Sequence, residues 1–205
     1  MRTIEFNTWN RKSHFEHFKM LEDPYFGVTV PIDVTKAYDR AKDIGVSFFS
    51  KYLHDCMRAI NETDNLRYRI KGKDIVDYDV IHASPTLMRS DNTFGFSFIR
   101  FDEQISIFAD NIYNEKERIE ISKSIYPDYN GLDCIHCSVL PWFKFSGHKE
   151  ARSGQLDSVP KLAFSKTYKE KGNLMMNIAI NANHALVDGY HVGLFMDRYQ
   201  TYLNE

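Results

Sequence analysis

Residues 173–191, NLMMNIAINANHALVDGYH, set the strongest constraint on the fold. The first eleven carry no proline, glycine or charge and read as a strand over Asn173–Asn183. Strand side chains alternate, so Met176, Ile178, Ile180, Ala182 and His184 share one face. Asn177, Ala179, Asn181 and Asn183 share the other. Three amides at four positions are unusual for a dry sheet, so this face is expected to border a wet channel or a subunit contact. Asp188-Gly189 then ends the run, and a helix from about Gly189 to Leu203 would bury Val192, Phe195, Tyr199 and Tyr202. A strand-to-helix junction is a rigid place from which to present a side chain, which makes His184 a candidate site residue. The other reading is a core histidine satisfied by a backbone carbonyl, since one imidazole specifies no reaction.

A chain of 205 residues with 43% hydrophobic content can bury a full core, and we expect one domain over residues 1–205. The formal net charge of −2 supplies no clustered positive charge for nucleic acid or an anionic membrane. Small molecules or further copies of the chain are the expected partners. MRTIEFNTWN has no apolar segment behind its charge and no run is long enough to span a bilayer, so a cytoplasmic location is expected. Cys56, Cys134 and Cys137 do not resemble a disulfide framework. Cys134-Ile135-His136-Cys137 has C-x-x-C spacing but no second ligand pair, so buried free thiols are expected rather than a metal site.

The remaining punctuation outlines a layered domain. Ser13-x-x-Glu16 has capping-box spacing ahead of Phe15, Phe18 and Leu21, which predicts a first helix. Thr35–Ile44 and Ser47–Ile60 follow as helices, the latter with a stripe of Phe49, Leu53, Cys56, Met57 and Ile60. RYRIKGKDIVDYDV reads as a hairpin turning at Gly72, and Ser84–Arg89 and Thr93–Arg100 as strands joined through 90–92. Ile105, Phe108, Ile112 and Ile119 predict a helix over Glu103–Lys123. Cys134–Leu140 and Lys161–Lys169 are further strands, with Lys171-Gly172 turning into the last one. Helices before, between and after strands imply an α/β (α+β) layered sandwich with one large mixed sheet.

Several signatures are missing: G-x-S-x-G, G-x-x-x-x-G-K-[ST] and G-x-G-x-x-G do not occur. His184 and His191 straddle the strand-to-helix break, which argues against a shared metal. The H-x-x-x-D-G of His184, Asp188 and Gly189, with TWNRKSHFEHF at 8–18 and Ser138-Val139-Leu140-Pro141-Trp142, is similar to the chloramphenicol acetyltransferase family. H-x-x-x-D-G alone is shared with other CoA-dependent acyltransferases; the three segments in order are more specific.

The resemblance implies a trimer with each active site at a subunit boundary and direct acetyl transfer from acetyl-CoA to a hydroxyl of chloramphenicol. It makes His184 the general base and Ser138 the donor to the tetrahedral oxyanion, with Asp188 paired to Arg11 around the histidine. It requires no metal. Read without the resemblance, Asp188 is a helix cap, or the acid of a Ser-His-Asp triad in which Ser138 is the nucleophile. Phe18, Phe94 and His148 fall where the family lines its acceptor pocket, although either phenylalanine also suits a core. The chain departs from the family at Asn183, where a first histidine is usual, and at Ala163, where a threonine is. It departs again at His148 and Glu150, which imply a more polar pocket. Two other readings stay open: acylation of another small hydroxylated acceptor, and a non-catalytic trimeric binding protein of the same fold.

Overall fold

The strand expected over Asn173–Asn183 forms with those limits and is the hub of the sheet. A computed structural model of the chain describes residues 1–151 and 157–205. In chain order the first elements are β1 (Arg2–Thr3), α1 (Lys12–Phe18), β2 (Tyr25–Asp33), α2 (Thr35–Asp43), α3 (Phe48–Glu62) and α4 (Asp64–Arg67). Next come β3 (Tyr68–Lys71), β4 (Asp74–Asp77), β5 (His82–Met88), β6 (Phe94–Phe96) and α5 (Ile105–Ile121). The chain ends with β7 (Cys134–Leu140), β8 (Lys161–Ser165), β9 (Tyr168–Glu170), β10 (Asn173–Asn183) and α6 (Gly189–Leu203).

Among the described residues the main sheet runs β2-β10-β8-β7-β5-β6, with β9 also paired to β10. The β5–β7 and β7–β8 pairs are parallel and the others antiparallel, so the sheet is mixed as expected. Ile135, Cys137, Leu162, Phe164, Ile178, Ile180 and Ala182 lie in one core with the apolar stripes of α3 and α6. Ser47 caps α3 by accepting from the Ser50 amide, and Leu53, Cys56, Met57 and Ile60 are fully buried. The hairpin of β3 and β4 turns at Gly72, whose φ of 64° is the left-handed conformation that glycine tolerates best. It joins β1 in a separate three-stranded sheet.

Three expectations are corrected, and one strand is added. Ser13 does not cap the first helix: Arg11 occupies that position without a side-chain cap, and Leu21 lies beyond the helix end. The strand expected over Lys161–Lys169 is two pieces. The Lys166 amide leaves the ladder to donate to the Phe143 carbonyl, and the Ser165 hydroxyl accepts from the Asn177 amide. The Thr93–Arg100 strand is confined to Phe94–Phe96, after which Ile99 forms only an isolated bridge to Ala83. The edge strand β2 was not expected, because Gly27 and Pro31 interrupt its pattern. An edge tolerates both, since one side of the strand needs no ladder donors.

Candidate active site

The turn after β10 is closed mainly by Asn183. Its carbonyl accepts from the Leu186 and Val187 amides, and its Oδ1 accepts from the Ala185 amide at 3.0 Å, an Asx turn. Its Nδ2 donates to the Asp157 carbonyl at 3.0 Å. Asn183 therefore builds the turn rather than leaving a gap in it. The signal for this was an amide two residues before a buried amide N–H, legible only once the turn is known.

His184 sits on that turn. Its amide donates to the Pro24 carbonyl at 2.8 Å, and its ring stacks on Phe18 with centroids 4.0 Å apart and planes 5° apart. Phe26 leans on the other side at 4.6 Å. Two aromatic walls fix the imidazole plane, and Phe18, the last residue of α1, is thereby brought to the site. His184 Nδ1 is buried with no hydrogen-bond partner. Phe26 belongs to β2, whose sequence pattern gives no clear strand signal.

Asp188 both caps α6 and pairs with Arg11. One carboxylate oxygen accepts from the Tyr190 amide at 3.0 Å; the other meets Arg11 Nη1 at 2.5 Å. His191 completes the capping box, its Nδ1 accepting from the Asp188 amide. Burial holds His191 below its ordinary pKa despite the nearby carboxylate, which keeps it neutral as that bond requires. Burial works against the Asp188 carboxylate, but the hydrogen bond and charge of Arg11, the facing His191 and the Tyr190 amide outweigh it and lower its pKa. Arg11 begins α1 and Asp188 begins α6, so the pair ties the two ends of the chain around His184.

Arg11→Ala should therefore cost on the order of 2 kcal/mol, less than a fully buried pair because the Asp188 side chain is 28% exposed. A carboxylate with a depressed folded pKa stabilises above its unfolded pKa of about 3.9 and loses that contribution as pH falls through the folded value. The melting-temperature gap between wild type and Arg11→Ala should thus be full at neutral pH and shrink below about pH 4. A gap unchanged down to the acid transition would show that Asp188 is not the partner that matters.

Ser138 lies elsewhere in the sheet. On β7 it stands opposite Ala163 of β8, which stands opposite Ala179 of β10. His184 is five residues further along that chain. Five residues at about 3.3 Å and two strand spacings of about 4.8 Å put the two Cα atoms some 19 Å apart, too far to act on one carbonyl carbon within one chain. Phe94 is on β6, at the sheet edge opposite β2, and is likewise remote from this chain's His184. Ala163 is fully buried between Ser138 and Ala179.

Glu150 accepts from Ser138 Oγ at 2.5 Å, and His148 Nε2 lies 3.6 Å from the same carboxylate oxygen. His148 and Glu150 line a cavity of about 300 Å³ together with Asp23, Tyr25, Phe26, Gly27, Lys149 and Asn181. The polar face of β10 is thus partly accounted for by the segment after β7. Asn177 accepts from the Tyr168 hydroxyl and donates to the Phe145 carbonyl, both at 2.7 Å.

The cysteines behave as the sequence suggested. All three cysteines are free and buried, and burial raises each thiol above its ordinary range. His136 is pushed down to about 4 by burial and by Lys161. No group of three or more potential ligands that could hold a metal occurs among the described residues. No helix among them is long and apolar enough to cross a membrane.

This sheet, with a histidine at the β10–α6 turn locked by an arginine from α1, is matched along its length by a family model. The chloramphenicol acetyltransferase model covers residues 1–200. The chain belongs to the chloramphenicol acetyltransferase family. Chloramphenicol acetyltransferase 3 of Escherichia coli is 24% identical over 204 residues, spanning 98% of this chain and 96% of that protein. The Staphylococcus aureus chloramphenicol acetyltransferase is 24% identical over 206 residues, spanning 98% and 95%. A solved chloramphenicol acetyltransferase superposes with a TM-score of 0.90 at 25% identity, covering 98% of this chain and 99% of that one. Dihydrolipoamide acetyltransferase of Azotobacter vinelandii shares the fold at a TM-score of 0.70 and 18% identity, over 94% and 86% of the two chains. As a member of the chloramphenicol acetyltransferase family, the chain is an acyltransferase.

Proposed function

We propose that the chain is a single cytoplasmic domain that assembles as a homotrimer and transfers acetyl from acetyl-CoA to a hydroxyl of chloramphenicol or a similar small acceptor. What carries this reading is the His184 turn: an imidazole stacked on Phe18 and flanked by the tilted ring of Phe26, on a loop locked by the Arg11–Asp188 pair. With Nδ1 buried, the tautomer that carries its proton there leaves Nε2 as the basic nitrogen.

An alcohol is too weak an acid to lose its proton unaided at neutral pH, and a neutral imidazole held against it is a suitable acceptor. His184 takes the hydroxyl proton as the oxygen attacks the thioester carbonyl carbon. Ser138 donates to the oxygen that becomes negative. As the carbon–sulfur bond breaks, His184 returns the proton to the departing sulfur. Asp188 is engaged by Arg11 and by the helix amides, so it orients the loop rather than serving as the acid of a triad. Acetyl-CoA is a co-substrate here, and no step calls on a metal.

The separation of Ser138 and His184 within one chain supports placing each site between two subunits. Ser138 and Phe94 of one copy would then face His184 of the next, as a head-to-tail ring allows.

Ser138→Ala should lower kcat about a hundredfold or more with little change in KM, the effect of removing one oxyanion donor. Loss confined to KM would make Ser138 a binding residue instead. The overall reading is tested with purified protein, acetyl-CoA, chloramphenicol and a thiol reagent. Release of free CoA thiol that depends on the antibiotic supports it. CoA binding without release to any hydroxyl acceptor would favour a non-catalytic binding protein.

A further inference from the structure

The Glu150 carboxylate poses a difficulty for the proposed chemistry. Its short bond to Ser138 commits the serine proton to a carboxylate, yet the transition state needs that proton on the substrate oxygen. When Ser138 turns away, Glu150 is left beside a second developing negative charge. Its side chain is only 25% exposed, so water screens it poorly.

Among the described residues, neither neighbouring basic side chain solves this. Lys149 points outward with its side chain 82% exposed and meets Asp23 at 3.9 Å. His148 Nε2, at 3.6 Å, is beyond a normal hydrogen bond to Glu150. An apolar or anionic acceptor would worsen the imbalance by displacing water or adding charge. A cationic acceptor relieves it, since an ammonium can take the place at Glu150 that Ser138 Oγ vacates.

The same cavity has further polar demands. Asn181 is 8% exposed, and its Nδ2 is buried with no partner. His148 Nδ1 is also buried with no partner. Gly27, opposite Asn181 across the strand pair, leaves room for this amide, since a Cβ there would lie 2.6 Å from Asn181 Oδ1. Buried polar atoms of this kind make the surroundings of the cavity polar, which suits a ligand that bears oxygens as well as an amine.

We propose that Glu150 selects the acceptor, and that the site takes a small amino alcohol whose cationic amine binds Glu150 while its hydroxyl is acylated. Glu150 is a specificity residue in this scheme: it frees Ser138 most readily when a cation replaces it, so a cationic acceptor is favoured over a neutral one. The proposal rests on the reading of Ser138 as oxyanion donor.

The test compares chloramphenicol with the free amine obtained by removing its dichloroacetyl group, 2-amino-1-(4-nitrophenyl)propane-1,3-diol. The two share the nitrophenylpropanediol unit and its primary hydroxyl; the amine lacks the dichloroacetyl group and carries a positive charge, so the comparison is read from how the ratio changes between variants. The amine-to-chloramphenicol ratio of kcat/KM should fall at least about tenfold in both Glu150→Leu and the near-isosteric Glu150→Gln, whereas Glu150→Asp should keep much of it. A ratio within about twofold across wild type and both neutral variants would overturn the proposal.

Binding provides a readout that does not need turnover. Calorimetric titration of the amine should show affinity weakened about tenfold by Glu150→Leu, and equal affinity would overturn the proposal just as firmly. The underlying reading fails separately. If Ser138→Ala leaves kcat unchanged with both acceptors, the oxyanion assignment falls while the charge preference is still decided by the Glu150 variants.

Discussion

His184→Ala is expected to lower transfer by roughly two to four orders of magnitude, the range for removal of a general base from a reaction that cannot proceed without proton transfer. The fold should survive. The substitution loses the stacking on Phe18 and Phe26, about 1–2 kcal/mol, but it also removes a buried nitrogen that has no partner. The turn itself is held by Asn183 and by the Arg11–Asp188 pair, neither of which involves the imidazole. The variant should therefore keep its far-UV circular dichroism, its oligomeric size and its affinity for acetyl-CoA while CoA thiol release nearly stops. Activity above about a tenth of wild type would sink the base assignment, because a base worth so little falls far below the usual contribution.

The contrast between what the sequence revealed and what it hid has a physical basis. β10 and α6 were legible to the residue because each has an uninterrupted pattern and a sharp break at Asp188-Gly189. Arg11, Asp188, His184 and Phe18 were named from their motifs, and the fold brings those four together. β2 was hidden because an edge strand need not alternate cleanly, and with it went Phe26 and the Gly27–Asn181 fit. Ser165 and Lys166 split one expected strand through side-chain and loop bonds that no periodicity encodes. The Ser138–Glu150 bond was hidden for another reason: it depends on where a loop of low regularity folds back over the sheet.

Ser138 and Phe94 belong to a different class of question. Their residue types suit the roles proposed for them, but strand register sets them far from His184 of the same chain. If both act on one substrate, two copies of the chain must supply them, and that makes a mixing experiment decisive. His184→Ala and Ser138→Ala subunits are each expected to be severely impaired alone. Unfolded together in equal amounts and refolded, they form mixed rings in which some sites combine Ser138 from one copy with His184 from its neighbour. If subunits assort at random, each site has a one-half chance of an intact His184 and an independent one-half chance of an intact Ser138, so about a quarter of sites should be complete in a head-to-tail ring. The mixture should then regain about a quarter of wild-type kcat, far above the mean of the two parents. A site built within one chain predicts no gain, because every chain in the mixture lacks one of the two residues. Activity equal to the parental mean, in a sample shown to contain mixed rings, would therefore place Ser138 outside the site that His184 serves.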